Sequence, residues 1–143
     1  MKSLKHLLDE KRPGVISVGP AATVFEALNL MAQHDIGALL VMDQGRPIGI
    51  LSERDYARKV VLRGKTSKDT PVREVMSEKV FYVTLTQTVE ECMAIMTERH
   101  IRHLPVLDEA GGVAGFLSIG DLVKETISQQ KFIIEQMERY ITS

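Results

Sequence analysis

The sequence predicts an α+β fold built from two copies of one unit, each with the order strand, helix, strand, strand, helix. Three observations support this prediction. The two halves of the chain match each other at a fixed spacing, each half has one stretch with apolar residues at helical spacing, and each half has two short apolar runs separated by a turn. A sheet covered by helices on one face buries the apolar side of such a unit.

The repeat appears when the sequence is compared with itself at a shift of 65 positions. Identical residues then meet in the pairs Val18/Val83, Thr23/Thr88, Val24/Val89, Glu26/Glu91, Met31/Met96, Ile36/Ile101, Leu39/Leu104, Val41/Val106 and Asp43/Asp108. One extra residue in the second turn changes the shift to 66, and the matches continue with Gly49/Gly115, Leu51/Leu117, Ser52/Ser118 and Asp55/Asp121. So many ordered matches with a single gap identify a tandem repeat.

Each unit is predicted to begin with a short strand, at residues 15–18 and 80–83. A threonine, Thr23 or Thr88, then precedes a helix, as N-cap residues do. The apolar residues of the two helices recur at helical spacing and are Val24, Ala27, Leu28 and Met31, then Val89, Cys92, Met93 and Met96. Because Cys92 lies on this apolar face, we expect it to pack in the core rather than to act as a nucleophile.

The next two elements of each unit are predicted to form a β-hairpin. A continuous apolar run, at 38–42 or 104–107, is short enough to be a buried strand and ends at turn residues. A second apolar run, at 48–51 or 113–117, then returns along it. The second helix of each unit follows directly.

The predicted domain organisation comprises an N-terminal segment (1–13), a first repeat (14–64), a linker (65–78), a second repeat (79–128) and a C-terminal helix (129–143). One unit of this size has a marginal core. We therefore expect the two repeats to pack against each other, sheet to sheet.

Composition excludes several classes of protein. The 143 residues are 44% hydrophobic and 26% charged, which is typical of a globular chain, and the net charge of −1 does not indicate a nucleic-acid partner. No apolar run approaches the roughly 18 residues of a membrane span, and the N-terminus has no signal-peptide apolar core. The single cysteine fits a reducing compartment, so we expect a cytoplasmic protein. No catalytic motif is present, and we expect no enzymatic activity.

The doubled pattern resembles tandem CBS domains, which together form a Bateman module. The stretches that carry the resemblance are GILSERD (49–55), GFLSIGD (115–121) and IRHLPV (101–106). It covers nearly the whole chain, whose layout is similar to stand-alone CBS-pair proteins of bacteria and plant organelles. The resemblance implies a pseudo-two-fold pair of repeats that senses energy or redox state. It also implies that AMP, ADP, ATP or NAD binds between the repeats.

The resemblance implies two ligand clefts. The first cleft would combine Ser118 and Asp121 with Ile16, Val18, Ile36, Gly37 and Ala38, and the mirror cleft would combine Ser52 and Asp55 with Val80, Phe81, Ile101, Arg102 and His103. In the family, the serine contacts phosphate or ribose and the aspartate contacts ribose. Adenine lies against apolar side chains and backbone groups of the strands. Regulation would pass to a separate effector protein through a conformational change.

Each of these features has a second interpretation. Ser-x-x-Asp at the start of a helix is also the pattern of a capping box. Arg102 and His103 could bind phosphate, or they could form the solvated entrance of a strand. Neither His100 and His103 nor any other group has the spacing of a metal site, and no metal is expected.

Two further stretches leave alternatives open. Basic residues crowd the end of the first repeat and the linker, where they could form a solvated surface, hold a polyphosphate or dock an acidic partner; they are Arg58, Lys59, Arg63, Lys65, Lys68 and Arg73. Near the C-terminus, an apolar stripe could cover the core of the chain or form a homodimer interface; it comprises Ile133, Ile134, Met137 and Ile141. The alternative function is accordingly a dimeric scaffold with degenerate clefts.

Overall fold

The computed structural model describes residues 3–10 and 14–142 and contains two three-stranded sheets with helices, in the predicted order. The strands are β1 (Ser17–Val18), β2 (Ala38–Asp43), β3 (Arg46–Ser52), β4 (Val83–Thr84), β5 (His103–Leu107) and β6 (Val113–Ser118). The helices are α1 (Leu4–Glu10), α2 (Val24–His34), α3 (Glu53–Tyr56), α4 (Val89–Arg99) and α5 (Ile119–Thr142). A π-helical turn (Ala57–Val61) continues α3, and a 3₁₀ turn (Val72–Glu74) lies between the repeats.

The two sheets have the same topology. In each sheet the first strand pairs in parallel with the second. The second strand pairs in antiparallel with the third and forms the predicted hairpin. The first strands are shorter than the predicted 15–18 and 80–83, because only Ser17–Val18 and Val83–Thr84 have partners on β2 and β5. The residues before them run outside the ladder, where they are available to line a site.

The helices begin and end at equivalent residues in the two repeats. Thr23 and Thr88 cap α2 and α4, each hydroxyl accepting the N–H of the residue three positions later at 3.1 Å. Asp35 and His100 end these helices in the left-handed conformation, with φ of 53° and 56°. Non-glycine residues rarely adopt this conformation. Its recurrence at both positions shows how closely the repeats match.

Each repeat has its own apolar core. In the first repeat Val24, Leu39 and Leu51 are fully buried, and their equivalents in the second repeat, Val89, Leu104 and Leu117, are buried to the same extent. Cys92 lies in the second core, which confirms the packing role predicted for it.

The segments that precede the two repeats are exchanged between the cores, a feature that the sequence did not predict. Leu4 and Leu7 of α1, which precede the first repeat, are buried in the core of the second repeat. Val72 and Val75, in the predicted linker, are buried in the core of the first repeat. We call residues 3–10 and 71–77 the lead-in segments. Each lead-in segment is therefore a structural part of the repeat that it does not precede.

Backbone pairing and two glycines hold the lead-in segments in place. Ser3 pairs with Thr88 and Pro71 pairs with Thr23, so that equivalent threonines receive the two segments. A Cβ atom on Gly49 would lie 2.7 Å from the Met76 sulfur, and one on Gly115 would overlap the side chain of Leu8. Both glycines lie in the third strand of their sheet. The missing side chains allow the lead-in segments to pack directly against these strands.

Helix α5 differs from the predicted organisation, which separated a C-terminal helix at residue 129. The second helix of the second repeat continues as one helix of 24 residues, since no glycine or proline interrupts it after Gly120. Residues 130–142 are exposed throughout. No helix in the described part of the chain is long and apolar enough to cross a membrane.

Candidate ligand site between the two repeats

A cleft of about 580 Å³ lies between the repeats. The first repeat and the segment before it contribute Leu8, Gly14, Val15, Ile16, His34, Asp35, Ile36, Gly37 and Ala38, and the second repeat contributes His103, Ala114, Gly115, Phe116, Ser118 and Asp121. A volume of this size is typical of sites for small ligands. Six of the seven residues expected in the first cleft thus line one cavity.

Ser118 and Asp121 occupy the junction between β6 and α5. The Ser118 N–H donates to Asp121 Oδ2 at 2.8 Å, and the Asp121 N–H donates to Ser118 Oγ at 3.2 Å. These reciprocal bonds form the predicted capping box and fix both side chains at the first turn of a long helix. They leave a hydroxyl, a carboxylate and the positive end of the helix dipole at the wall of the cleft.

The opposite wall is formed by short backbone segments of the first repeat. Ile16 lies just before β1, while Ile36 and Gly37 connect α2 to β2. The Gly37 carbonyl accepts the Glu53 N–H at 3.0 Å, which fixes the backbone at this entrance. Val18 was expected here as well, but it is only 8% exposed and packs in the first core, because strand pairing with Val41 directs it there.

His103 corrects the expected division of residues between the clefts. It was expected in the mirror cleft, but it lines the first cleft, because it pairs with Ser118 across β5 and β6. Its ring stacks on Phe116 with centroids 5.5 Å apart. The imidazole therefore shares a wall with Asp121 of its own repeat.

Several lining residues were missed by the sequence analysis. His34 and Asp35 lie at the end of α2, and Phe116 lies in β6. Leu8 reaches the cleft from α1 because the lead-in segment packs on the other repeat. The position of His34 and Asp35 directly before Ile36 was a usable signal, whereas nothing local in the sequence indicated Leu8.

The residues expected in the mirror cleft lie in varied surroundings. Phe81 is half-buried, with the Arg99 guanidinium 4.9 Å from its ring centroid. Val80 and Ile101 are also half-buried, whereas Arg102 is exposed. The segment that leads into β4 runs alongside β3, because Ser77 pairs with Ile50 and the Tyr82 hydroxyl donates to the Pro47 carbonyl at 3.3 Å.

Asp55 is engaged by several groups of its own chain. It forms a capping box with Ser52, whose N–H donates to Asp55 Oδ2 at 2.9 Å. The other oxygen, Oδ1, forms an ion pair with Lys59 Nζ at 3.2 Å and lies 3.5 Å from the Ser77 hydroxyl. The two equivalent Ser-x-x-Asp pairs therefore have different neighbours, although both serve as caps.

Comparison with known proteins agrees with this architecture. The family model of the CBS domain matches residues 8–62 and 72–128. The chain is similar to the mitochondrial CBS domain-containing protein CBSX3 of Arabidopsis thaliana, with 38% identity over 83% of this chain. The match spans 60% of the length of that relative.

No group of three or more His, Cys, Asp or Glu side chains that could hold a metal occurs in the part of the chain that the structure describes.

Two solved structures are close in fold. A putative signal-transduction protein with CBS domains from Burkholderia ambifaria has 48% identity and a TM-score of 0.86, covering 90% of this chain and 96% of that one. A CBS domain protein from Pyrobaculum aerophilum, complexed with AMP, has 28% identity and a TM-score of 0.74, covering 84% and 89%. With both repeats matched in sequence and in structure, the chain belongs to the CBS domain family, as a tandem CBS pair.

Proposed function

We propose that this protein is a non-catalytic regulatory module that binds an adenine nucleotide in the first cleft. The observation that carries the proposal is the meeting of the Ser118–Asp121 cap with the strand entrance at Ile36–Ala38 across one cavity. The related Pyrobaculum aerophilum protein, whose structure holds AMP, supports the same ligand class. AMP is the first candidate, and ADP, ATP and NAD are the alternatives that the test separates.

Each part of a nucleotide has a matching group in the cleft. Ile16 and Ile36 offer an apolar surface to adenine, and the backbone groups of Gly37 can hydrogen-bond the edge of the base. The Asp121 carboxylate can accept from ribose hydroxyls. The N-terminus of α5 favours a phosphate, and the imidazole of His103 can add a hydrogen-bond donor in the same cleft.

Signalling follows if the ligand prefers one arrangement of the repeats. A nucleotide that contacts both walls of the cleft stabilises the arrangement in which the walls are correctly spaced. We propose that a separate effector protein reads this change, and that the module works in a reducing compartment such as the cytoplasm.

The test is a thermal-shift panel of AMP, ADP, ATP, NAD, NADH and S-adenosylmethionine on the purified protein. A ligand at 100 times its Kd adds about 2.7 kcal/mol to the free energy of unfolding. For a chain of this size the expected rise in Tm is roughly 5–15 °C. No rise with any of these ligands at millimolar concentration would contradict the proposal.

Asp121→Ala should abolish the shift, because it removes the carboxylate that we assign to the ribose. Asp69→Ala is the matched control, since the Asp69 carboxylate also accepts a hydrogen bond from the residue three positions earlier, from Thr66 Oγ1 at 2.7 Å, but lies in an exposed turn. The control should keep the full shift. Turnover of ATP or NAD by the wild type that is lost in Asp121→Ala would instead indicate an enzyme.

A second function, a dimeric docking protein, is favoured by the exposed apolar residues of α5. Phe132 and Met137 are each 61% exposed, and Tyr140 is 85% exposed. We propose that this part of α5 pairs with a second copy of the chain, which is compatible with nucleotide binding in the cleft. Should the ligand panel give no shift, dimerisation alone remains as the function to test.

A further inference from the structure

The two repeats differ in the residue four positions after the aspartate of the Ser-x-x-Asp pair, one helical turn along the chain. In the first repeat this residue is Lys59, and at the equivalent position of the second repeat it is Glu125, which is 5% exposed. An ammonium group beside Asp55 is thus replaced by a carboxylate in the helix of Asp121. The difference between the repeats therefore lies one helical turn from the aspartate that would contact a nucleotide.

Lys59 is held by more than one partner. Its Nζ atom lies 3.2 Å from Asp55 Oδ1 and donates to the Val75 carbonyl at 3.0 Å. Its side chain is 34% exposed and that of Asp55 is 12% exposed, so the pair is partly withdrawn from water. Such a pair is stronger than an exposed surface ion pair, because solvent screens it less.

The lead-in segment of the second repeat completes this arrangement. Ile50 and Ser77 exchange two backbone hydrogen bonds, of 3.0 and 2.9 Å, which hold the segment against β3. The Ser77 hydroxyl then lies 3.5 Å from the same Asp55 oxygen that binds Lys59. Lys59 lies in the π-helical turn that continues α3, whereas α5 is a regular α-helix at the equivalent place.

We propose that the Lys59 ammonium takes the place of a ribose hydroxyl beside Asp55 in the mirror cleft. In this way Lys59 limits the protein to one nucleotide per chain. The carboxylate that would accept from a ribose hydroxyl has one oxygen committed to the cap and the other to the Lys59 ammonium. Displacing the ammonium would cost both of its contacts. The inference rests on the proposed function, because it assigns the single nucleotide to the first cleft.

The number of AMP molecules bound per chain tests this proposal by isothermal titration calorimetry. The wild type should bind one AMP per chain. Lys59→Met keeps the length of the side chain and removes the ammonium, so it should bind two. Lys59→Gln is a second variant of the same kind, and circular dichroism verifies that both are folded.

Lys65→Met is the matched control. Lys65 lies in the same basic stretch, but its ion pair with Glu74 is longer, at 3.9 Å, and both side chains are exposed by more than 40%. This variant should bind one AMP, like the wild type. The double variant Lys59→Met, Asp121→Ala should also bind one, which would then lie in the mirror cleft.

The outcomes separate the two proposals. Two AMP molecules on the wild type, or one AMP on both the wild type and the folded Lys59 variants, would overturn the role of Lys59 and leave the proposed function standing. No AMP on the wild type and one on Lys59→Met would support the role of Lys59 and contradict binding in the first cleft. No AMP on either protein would overturn both.

Discussion

At the scale of single residues, Cys92 shows how burial sets the chemistry of a side chain. Its thiol is fully buried on α4, and desolvation raises its pKa from 9.0 to about 11, with a further contribution from the charge of Glu91. A thiol with a raised pKa stays protonated near neutral pH. Cys92 is therefore an apolar core residue rather than a reactive one.

The raised pKa predicts how stability depends on pH. Below about pH 9 the thiol is protonated in both the folded and the unfolded state, and its contribution to the free energy of unfolding is fully present. Between about pH 9 and 11 the unfolded state loses this proton first, so the free energy of unfolding falls as pH rises.

Urea unfolding at about pH 8 and pH 10.5 measures this loss. Cys92→Ala is the control, since it lacks the thiol but keeps every other group that titrates in the range. The wild type should lose more stability than the variant. Equal losses in the two proteins would show that the folded-state pKa is not raised.

The Ser-x-x-Asp pairs show that one residue pattern can serve two purposes. Ser52–Asp55 and Ser118–Asp121 are both capping boxes, yet only the second pair lines the described cleft. A carboxylate has more acceptor sites than the cap uses, so Asp55 also has a further partner. In the first repeat that partner is Lys59.

At the scale of elements, α1 depends on the second repeat for its stability. A helix of seven residues does not persist alone in water. Leu4 is fully buried in the second core, and Leu7 is nearly so. These contacts hold the helix in place and bring Leu8 to the cleft.

Leu4→Ala should therefore destabilise the protein by about 2–5 kcal/mol, the usual cost of truncating a buried leucine. Lys5→Ala, at an exposed position of the same helix, should change stability by about 0.5 kcal/mol or less. Urea denaturation followed by circular dichroism measures both. If the two variants were equally stable, α1 would not be an integral part of the second core.

Helix α5 carries a second element-scale prediction. Val123, Ile127, Ile134, Met137 and Ile141 follow one another in alternating steps of three and four residues, with a polar Gln130 in the gap. Such spacing is typical of a helix that pairs with another helix, and one polar residue in the seam sets the register. The exposure of these residues indicates that the partner is not another part of the described chain.

Ile134→Glu should weaken the proposed dimer at least tenfold, about 1.4 kcal/mol, because it places a charge in the apolar seam. The fold of each protomer should be retained, since Ile134 is 55% exposed. Sedimentation velocity at micromolar concentration measures the change, and Glu135→Ala on the other side of the helix is the control. A monomeric wild type, or a variant that keeps the wild-type mass, would contradict the prediction.

At the scale of the whole molecule, the exchanged lead-in segments join the two repeats. The first core contains Val72 and Val75, which precede the second repeat, and the second core contains Leu4 and Leu7, which precede the first. Neither repeat can unfold without exposing apolar surface of the other. We therefore expect a single cooperative unfolding transition.

The equivalent variants Leu39→Ala and Leu104→Ala test this expectation, since both leucines are fully buried. Each should shift the same, single calorimetric transition to lower temperature by a similar amount, corresponding to about 2–5 kcal/mol. If the repeats were independent, each variant would lower one transition and leave another at its original temperature.

The sequence by itself determined the repeat, the order of the elements and the helix caps. These features depend on residues close in the chain, such as Thr23 before α2 or Ser118 before α5. Because the chain is a repeat, each pattern found in one half could be compared with the equivalent residues of the other half. Six of the fifteen residues that line the first cleft were also predicted there, because the resemblance to a known family placed them at matching positions.

Only the tertiary structure decided which residues meet across the repeats. Leu8 reaches the cleft through the exchange of the lead-in segments, and His103 faces Ser118 because of the strand register. Lys59 reaches the Val75 carbonyl only when the chain folds back on itself, whereas its ion pair with Asp55 joins residues four positions apart. Such contacts depend on packing between distant segments, and the spacing of residues along the chain does not encode that packing directly.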